Sequence, residues 1–448
     1  MASEWHEVPI GSLCDGIYDG PHATPVRTDS GPVFLGISSL VSGRLDLSQS
    51  DHLSEEDFPR WTRRVVPTED DLVFSYETRL GEAALIPGGL RCCLGRRMAL
   101  MRLNREKADP RFILYAFLSP QFQDVIRSRT KQGSTVTRIL LTEFGDFPMA
   151  VPPIPQQHAI GEILGALDDR IDLLSASNKT CETIARTIFK SWFVDFDPVR
   201  AKAEGHEPEG MNADTAALFP SEFGESPIGL IPKGWNLRRL DAIATVTIGG
   251  IWGFDSQEHT NLIEAVCLRG VDLEHLRSTG RANAAPIRWV KPSALERRRL
   301  SDDEVLVGGS GAGPVGRPLH ALRLFEELYK RPVVYSNFVK RLRCLDKYHA
   351  VYLDRILATM HQTGEIKDFI NGTSVPNLNE KSLLATKTVC LPVPDVLRAY
   401  TELIEPFTAK LYDPITTTLA NLRDTLLPRL ISGKLRVAEA EKMVEAVL

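Results

Sequence analysis

The chain has 448 residues, 43% of them hydrophobic and 25% charged, which excludes a disordered or fibrous polymer and leaves room for roughly three domains. No run approaches the roughly 20 apolar residues of a membrane helix. The opening Met1-Ala2-Ser3-Glu4-Trp5-His6-Glu7 lacks the basic and apolar parts of a secretory signal, so a cytoplasmic address and no membrane partner are expected. A net charge of −5 excludes a uniformly basic nucleic-acid coat, and seven cysteines, an odd number with no C-x-x-C, read as reduced thiols rather than disulfides or a metal site.

In chain order, residues 1–152 read as mixed α/β, with strand-like runs at Val33–Ile37, Asp71–Phe74, Ala83–Ile86 and Met98–Leu103 and a helix over Pro110–Arg129. Eleven Lys and Arg fall between 91 and 140 against three acids (Glu106, Asp109 and Asp124), so anion contact is expected on particular faces. A proline-rich hinge, Pro152-Pro153-Ile154-Pro155, precedes apolar or small residues at Ile160, Leu164, Leu167, Ile171, Leu174, Cys181, Ala185, Ile188 and Trp192. With Asn178 filling the gap the steps alternate 4 and 3, which predicts a coiled-coil helix of roughly 50 Å. Asp168-Asp169 is placed on its solvated face. Residues 201–225 read as a linker.

The second half, 226–391, again reads as mixed α/β, with runs at Val305–Val307 and Val333–Tyr335 and a helix over Ala350–Asn371. Two apolar stripes follow: Tyr400, Ile404, Phe407 and Leu411, then Ile415, Leu419, Leu422, Leu426 and Leu430. Pro406 and Pro414 predict a kink or break between them.

The halves echo each other in order. Trp5 returns at Trp235, Asp70-Asp71-Leu72-Val73-Phe74 at Asp303-Glu304-Val305-Leu306-Val307, Gly133-Ser134-Thr135-Val136 at Gly372-Thr373-Ser374-Val375, and Pro153-Ile154-Pro155 at Pro392-Val393-Pro394. Offsets of 230 to 239 mark a two-domain duplication (235 − 5 = 230; 372 − 133 = 239). The two long helices are expected to pack antiparallel, relating the preceding domains by a pseudo-twofold.

Catalytic signatures are scarce. There is no P-loop, no H-E-x-x-H and no G-x-S-x-G. Gly311-Ala312-Gly313-Pro314-Val315-Gly316 fits the G-x-G-x-x-G fingerprint, with a helix-like stretch at Leu319–Tyr329 and a strand after it. No acid closes that strand, where Ser336 and Asn337 stand instead. The turn supports one alternative, a nucleotide-cofactor-binding oxidoreductase.

Phe189-Lys190-Ser191-Trp192-Phe193-Val194-Asp195-Phe196-Asp197-Pro198-Val199 and Leu426-Leu427-Pro428-Arg429-Leu430-Ile431-Ser432-Gly433-Lys434-Leu435-Arg436-Val437 resemble the central and C-terminal conserved regions of the specificity subunit of type I restriction–modification enzymes. Pro152-Pro153-Ile154-Pro155-Gln156-Gln157 resembles the hinge before that family's first helix, and Ile231-Pro232-Lys233-Gly234-Trp235 the start of a target recognition domain. The resemblance covers nearly the whole chain, departing at Pro406, Pro414 and the missing Gln after Pro394.

It implies an α+β fold with two tandem recognition domains, 1–152 and 226–391. Each is followed by a long helix, at 153–200 and 392–448, and the helices form an antiparallel coiled coil. It implies a non-enzymatic subunit that reads a bipartite double-stranded DNA target and recruits two methyltransferase subunits, with restriction/translocase subunits expected as further partners. No cofactor is expected in this chain; S-adenosylmethionine, ATP and magnesium belong to the partners. The third reading is a coiled-coil scaffold that does not touch DNA. The DNA-contact candidates of the first domain are Tyr18, His22, Thr24, Tyr76, Thr78, Arg79, Arg129, Ser134, Thr135 and Arg138. Those of the second are Trp252, Phe254, Ser310, Arg317, Thr373, Ser374 and Asn377. Tyr18, Tyr76, Trp252 and Phe254 serve equally well as packing aromatics.

Overall fold

A computed structural model of the chain describes residues 5–48, 50–132, 137–257, 261–372 and 374–447. It falls into two compact units, Met1–Asp172 with Thr418–Leu448, and Leu173–Thr417.

In the first unit, Cys14–Asp19, Met98–Leu103, Leu72–Ser75 and Ala83–Leu85 form an antiparallel sheet in that order. A second sheet sets Asp51–His52 antiparallel and Cys92–Leu94 parallel to Thr28–Leu35. Val33, Leu35, Val73, Ala84, Leu94 and Leu100 share one buried cluster. His6–Pro9 pairs antiparallel with Pro148–Val151, clasping the start of this domain to the strand before the central helix. The helix expected over Pro110–Arg129 is two, Pro110–Leu118 and Pro120–Arg129. Pro120 forces Ser119 into extended backbone, and the Ser119 hydroxyl then caps the second helix by accepting from the Phe122 N–H.

The second unit repeats this plan. Ala244–Val246, Val339–Cys344, Glu304–Gly308 and Pro318–His320 make the antiparallel sheet; Ile287–Val290 (antiparallel) and Val333–Tyr335 (parallel) flank Ile263–Leu268. Asn236–Arg239 pairs with Thr388–Leu391 as the matching clasp. The helix expected over Ala350–Asn371 is Lys347–Thr363, ended by Gly364 in left-handed backbone and followed by a short 3-10 turn, Glu365–Phe369.

A buried acid sits at the same place in each sheet. Asp71 accepts from Arg102 Nη2 at 2.7 Å and Nε at 3.0 Å on the neighbouring strand. Glu304 holds Arg343 Nη2 at 2.6 Å, with Arg341 at 3.4 Å. Cysteines 92, 93 and 267 are buried as free thiols, and burial pushes each up to about 12, so none is a thiolate at neutral pH.

The central helix runs Ile154–Lys190 and continues into a π-helical turn, Ser191–Asp195. Of the ten predicted seam positions, Ile160, Leu164, Leu167, Ile171, Asn178, Ala185 and Trp192 are buried, and Leu174, Cys181 and Ile188 are half-buried. Asp169 is exposed and bonds Arg111. Asp168, expected beside it in solvent, is instead enclosed. It accepts from Tyr115 Oη at 2.7 Å, Arg423 Nη1 at 2.7 Å and Arg44 Nη2 at 3.1 Å. The correction has a simple cause: a position next to the seam is covered when a tertiary neighbour lies over it, and heptad counting does not register that neighbour.

The second long segment breaks at one of its two named prolines. Pro394–Leu411 ends before Pro414, Ile415–Ile431 begins after it, and Pro406 lies inside the first helix. Gly280, at φ +71°, permits the close approach at this break, because a Cβ there would sit 2.0 Å from the Leu411 carbonyl oxygen. In the first unit Asp168 meets Arg423, and in the second the Ala185 carbonyl accepts from Tyr400 Oη at 2.9 Å.

The two helix-end signatures each cover a domain-opening tryptophan. Phe193 and Phe196 of the central signature pack against Trp235 in the second unit, with ring centres 6.0 and 5.7 Å away. Gly433 of the C-terminal signature lies against Trp5 in the first, leaving no room for a Cβ beside the indole. Residues 201–225, expected as a linker, are folded as well. They carry the helix Ala213–Ala217 and place Phe219 against Trp192 and Trp235. Their polar composition hid two anchoring aromatics, Phe219 and Phe223, the latter packed against Phe196. Among the described residues no helix is long and apolar enough to cross a membrane.

Glu182 does in the second unit what Asp168 does in the first. It accepts from Arg355 Nη1 at 2.6 Å, and Arg277 bridges to it at 3.5 Å while holding Asp354 at 2.8 Å. Burial pushes the Asp354 carboxyl up, but the Arg277 and Arg355 cations outweigh it and the net shift is down. His320 lies in the same cluster, and its Nε2 donates to the Asp302 carbonyl at 2.7 Å. Removing one partner of a buried pair leaves an uncompensated charge, whereas removing both costs little. Glu182→Leu is therefore expected to cost about 3 kcal/mol in urea unfolding, with most of it recovered in the Glu182→Leu, Arg355→Met double variant. An equal or greater loss in the double variant would contradict this account.

Burial lowers the His320 pKa, so the folded protein holds a neutral ring while the unfolded chain takes up a proton near pH 6.5. Stability from this group is complete above that pH and is lost as pH falls below it. Melting scans from pH 7.5 to 5 are expected to slope less in His320→Gln than in the parent chain; identical slopes would refute the assignment.

Candidate nucleic-acid interface

In each domain the strand ends and loops nominated from the sequence converge on one backbone junction. In the first domain the Tyr76 N–H donates to the Arg97 carbonyl at 3.2 Å, and the Ile139 N–H donates to the Tyr76 carbonyl at 2.9 Å. In the second, Gly309 N–H donates to the Phe338 carbonyl at 2.7 Å, and Leu378 N–H donates to Gly309 at 2.9 Å. Isolated bridges, Glu77 with Arg138 and Ser310 with Asn377, extend the same stitching. At the centre of each junction is a tight turn, Gly95-Arg96-Arg97-Met98 or Ser336-Asn337-Phe338-Val339, closed by a bond from its fourth N–H to its first carbonyl at 3.2 or 3.0 Å. Gly20 and Gly250 let the opening loops in beside these turns. A Cβ on either would lie 2.4 Å from the Gly95 carbonyl oxygen or 2.1 Å from that of Ser336.

The candidate side chains sort by exposure and partners. His22 and Thr24 are exposed, with His22 Nε2 3.2 Å from Asp19. Thr78 is exposed at φ +75°, a left-handed conformation that is costly for a β-branched residue. Arg79 is exposed and bonds Glu82 at 3.0 Å. Arg129 stacks on Phe147 and donates to the Asp146 carbonyl. Arg138 is exposed on a two-stranded hairpin, Lys131–Gln132 with Thr137–Arg138. Tyr76 is buried and Tyr18 is half-buried against the sheet core, so the packing reading holds for both.

In the second domain Trp252 and Phe254 are 37% and 38% exposed. Trp252 stacks under Arg288, and the Phe254 N–H donates to the Trp289 carbonyl. Ser310 is half-buried, Ser374 and Asn377 are exposed, and Arg317 is ion-paired to Glu274 at 3.0 Å. Ser134, Thr135 and Thr373 lie outside the described residues. Sequence reasoning did not nominate Phe338, noted Asn337 only as standing where a cofactor-binding acid would be, and counted Arg96 and Arg97 only as charge. The signal available was a turn-sized gap between two short apolar runs in both halves.

The Gly311–Gly316 turn is not a dinucleotide fold. Strand Pro318–His320 follows it directly and pairs antiparallel with Glu304–Gly308, so the turn closes a hairpin, not a strand–helix crossover. The helix expected over Leu319–Tyr329 is confined to Leu324–Tyr329. A Cβ on Gly308 would strike the Pro314 carbonyl at 1.9 Å, so the loop folds back on its own strand.

A family model for the type I restriction modification DNA specificity domain matches residues 37–183. The specificity subunit of the type I restriction enzyme HindI from Haemophilus influenzae is 21% identical, covering 97% of this chain and 100% of its own length. That of MjaIX from Methanocaldococcus jannaschii is 22% identical over 73% of this chain and 69% of its own. The crystal structure of a type I restriction-modification S subunit from M. genitalium shares the fold at a TM-score of 0.58 and 14% identity, covering 96% of both chains. With its duplicated domain plan and a match along the whole length of such a subunit, the chain is similar to the specificity subunits of type I restriction–modification enzymes.

Proposed function

We propose that the chain is the DNA-reading adaptor of its complex. Each recognition domain engages one half of a split duplex target, and the long helices set the gap between the halves. Two methyltransferase subunits, and in the full enzyme restriction/translocase subunits, bind to this chain and carry S-adenosylmethionine, ATP and magnesium. The adaptor itself performs no chemistry and works in the cytoplasm. The observation that carries this reading is the duplication. One domain plan occurs twice, each copy clasped at its root and each presenting the same loop junction, as a bipartite target requires.

The electrostatics fit contact confined to one region. Arg127 and Arg138 are exposed on the helix Pro120–Arg129 and the hairpin after it. Among the described residues Arg127 is ion-paired with Asp124 one turn before it, and an exposed pair of this kind exchanges readily for phosphate.

The test uses the chain co-purified with its methyltransferase subunits. Methylation mapping identifies the target, and binding to that duplex is titrated against salt. Arg127→Glu and Arg138→Glu are each expected to weaken binding on all sequences alike. Each should also lower the slope of log K against log salt by about 0.9 if one phosphate contact is lost. An assembly without sequence preference, or charge reversals without effect on affinity or slope, would overturn the reading.

A further inference from the structure

We propose that the turns Gly95–Met98 and Ser336–Val339 are the base-reading elements of the two domains, and that their exchanged tips, Arg96-Arg97 and Asn337-Phe338, make the two halves of the target differ. The turns occupy the same topological position, between the last strand of the smaller sheet and the second strand of the larger. The backbone around them is bonded identically. Gly95 N–H donates to the Leu35 carbonyl at 2.8 Å and Ser336 N–H to that of Leu268 at 2.9 Å. The third residue's carbonyl receives the next loop in both copies, from Tyr76 and from Gly309.

Their tips differ in every chemical respect. Arg96 is exposed and has no ion-pair partner among the described residues. Arg97 stands in left-handed backbone, φ +79°, with Nε 2.8 Å from Glu77 and Nη1 3.4 Å from Thr78 Oγ1. Thr78, itself left-handed, faces it from the next loop, so two non-glycine residues in a costly conformation meet at one point. Such strain persists only where the surroundings enforce it, and it concentrates at ligand-binding positions. In the second domain the Asn337 side chain makes no hydrogen bond among the described residues. Phe338 is 65% exposed, though it springs from a turn whose first residue, Ser336, is fully buried. A large aromatic raised into solvent by a rigid base, between loops carrying Trp252 and Ser310, is placed to be covered by a partner.

Duplex DNA matches these side chains. Arginine pairs bidentately with guanine and asparagine with adenine in the major groove, and phenylalanine contacts the thymine methyl or wedges between base steps. Reading guanine in one half and an A·T pair in the other would follow from exchanging two residues within one pattern of backbone bonds.

The inference rests on the DNA-reading function proposed above, and one experiment separates the two. The parent chain, Arg96→Ala, Arg97→Ala, Asn337→Ala and Phe338→Ala are each co-purified with the methyltransferase subunits. Methylated positions and affinity for the mapped target are then compared, with melting temperature and subunit stoichiometry as controls on folding. Each variant is expected to lose about tenfold to a hundredfold in affinity for the mapped duplex. It should relax base preference in one half only: the half read by domain one for the arginines, the other for Asn337 and Phe338. Non-specific binding by the Asn337 and Phe338 variants should keep its salt slope. If the parent assembly has no sequence preference, the adaptor reading itself fails. If the parent is specific and all four variants keep its target and its affinity within twofold, the turns are not the readers.

Discussion

One carboxylate ties three separate elements of the first unit to one point. Asp168 lies on the central helix and bonds three elements at once: Tyr115 on a domain helix, Arg44 on a short hairpin, and Arg423 on the C-terminal helix. Glu182, two heptads on (182 − 168 = 14), clamps Arg355 and Arg277 of the second unit. Apolar seam residues supply the bulk of the burial, but burial is non-directional and would tolerate sliding. Half-buried acids with fixed arginine partners do not, so they determine where along the helix each domain is fastened.

The clasps serve the same end. His6–Pro9 against Pro148–Val151, and Asn236–Arg239 against Thr388–Leu391, bring the two ends of each domain together before the helix begins. Gln157 reinforces the first clasp: its amide accepts from the Asp109 N–H and donates to the Pro152 carbonyl. At the matching place in the second copy stands Val396, fully buried, so packing replaces the polar pin. The missing Gln after Pro394 is therefore a change of fastening, not a loss of one.

The loop junction of each domain is held by its backbone. Its stitching runs from backbone N–H to backbone carbonyl, and the side chains that matter to it are glycines, at 20 and 250, where another backbone comes too close for a Cβ. Such a frame places almost no demand on the identity of exposed tip residues. Two copies can then diverge from Arg96-Arg97 to Asn337-Phe338 while keeping the same backbone bonds around the turn.

Sequence alone determined the duplication, the hinge prolines, the heptad seam and the break near Pro414, because each is written in local spacing. It also placed the sheet strands near Leu72–Ser75, Met98–Leu103 and Val333–Tyr335, where apolar runs meet turns. Only the tertiary structure decided the rest. Asp168 reads as surface until Tyr115, Arg44 and Arg423 arrive from distant segments. The Gly311–Gly316 turn reads as a cofactor loop until its neighbouring strand proves antiparallel. Residues 201–225 read as a tether until Phe219 meets Trp192 and Trp235. Phe338 carries no motif at all, and its exposure at the centre of three loops follows from pairings with residues far away in the chain. Local periodicity encodes which face is apolar, but which polar group is enclosed and which aromatic is left out depends on contacts between residues far apart in sequence.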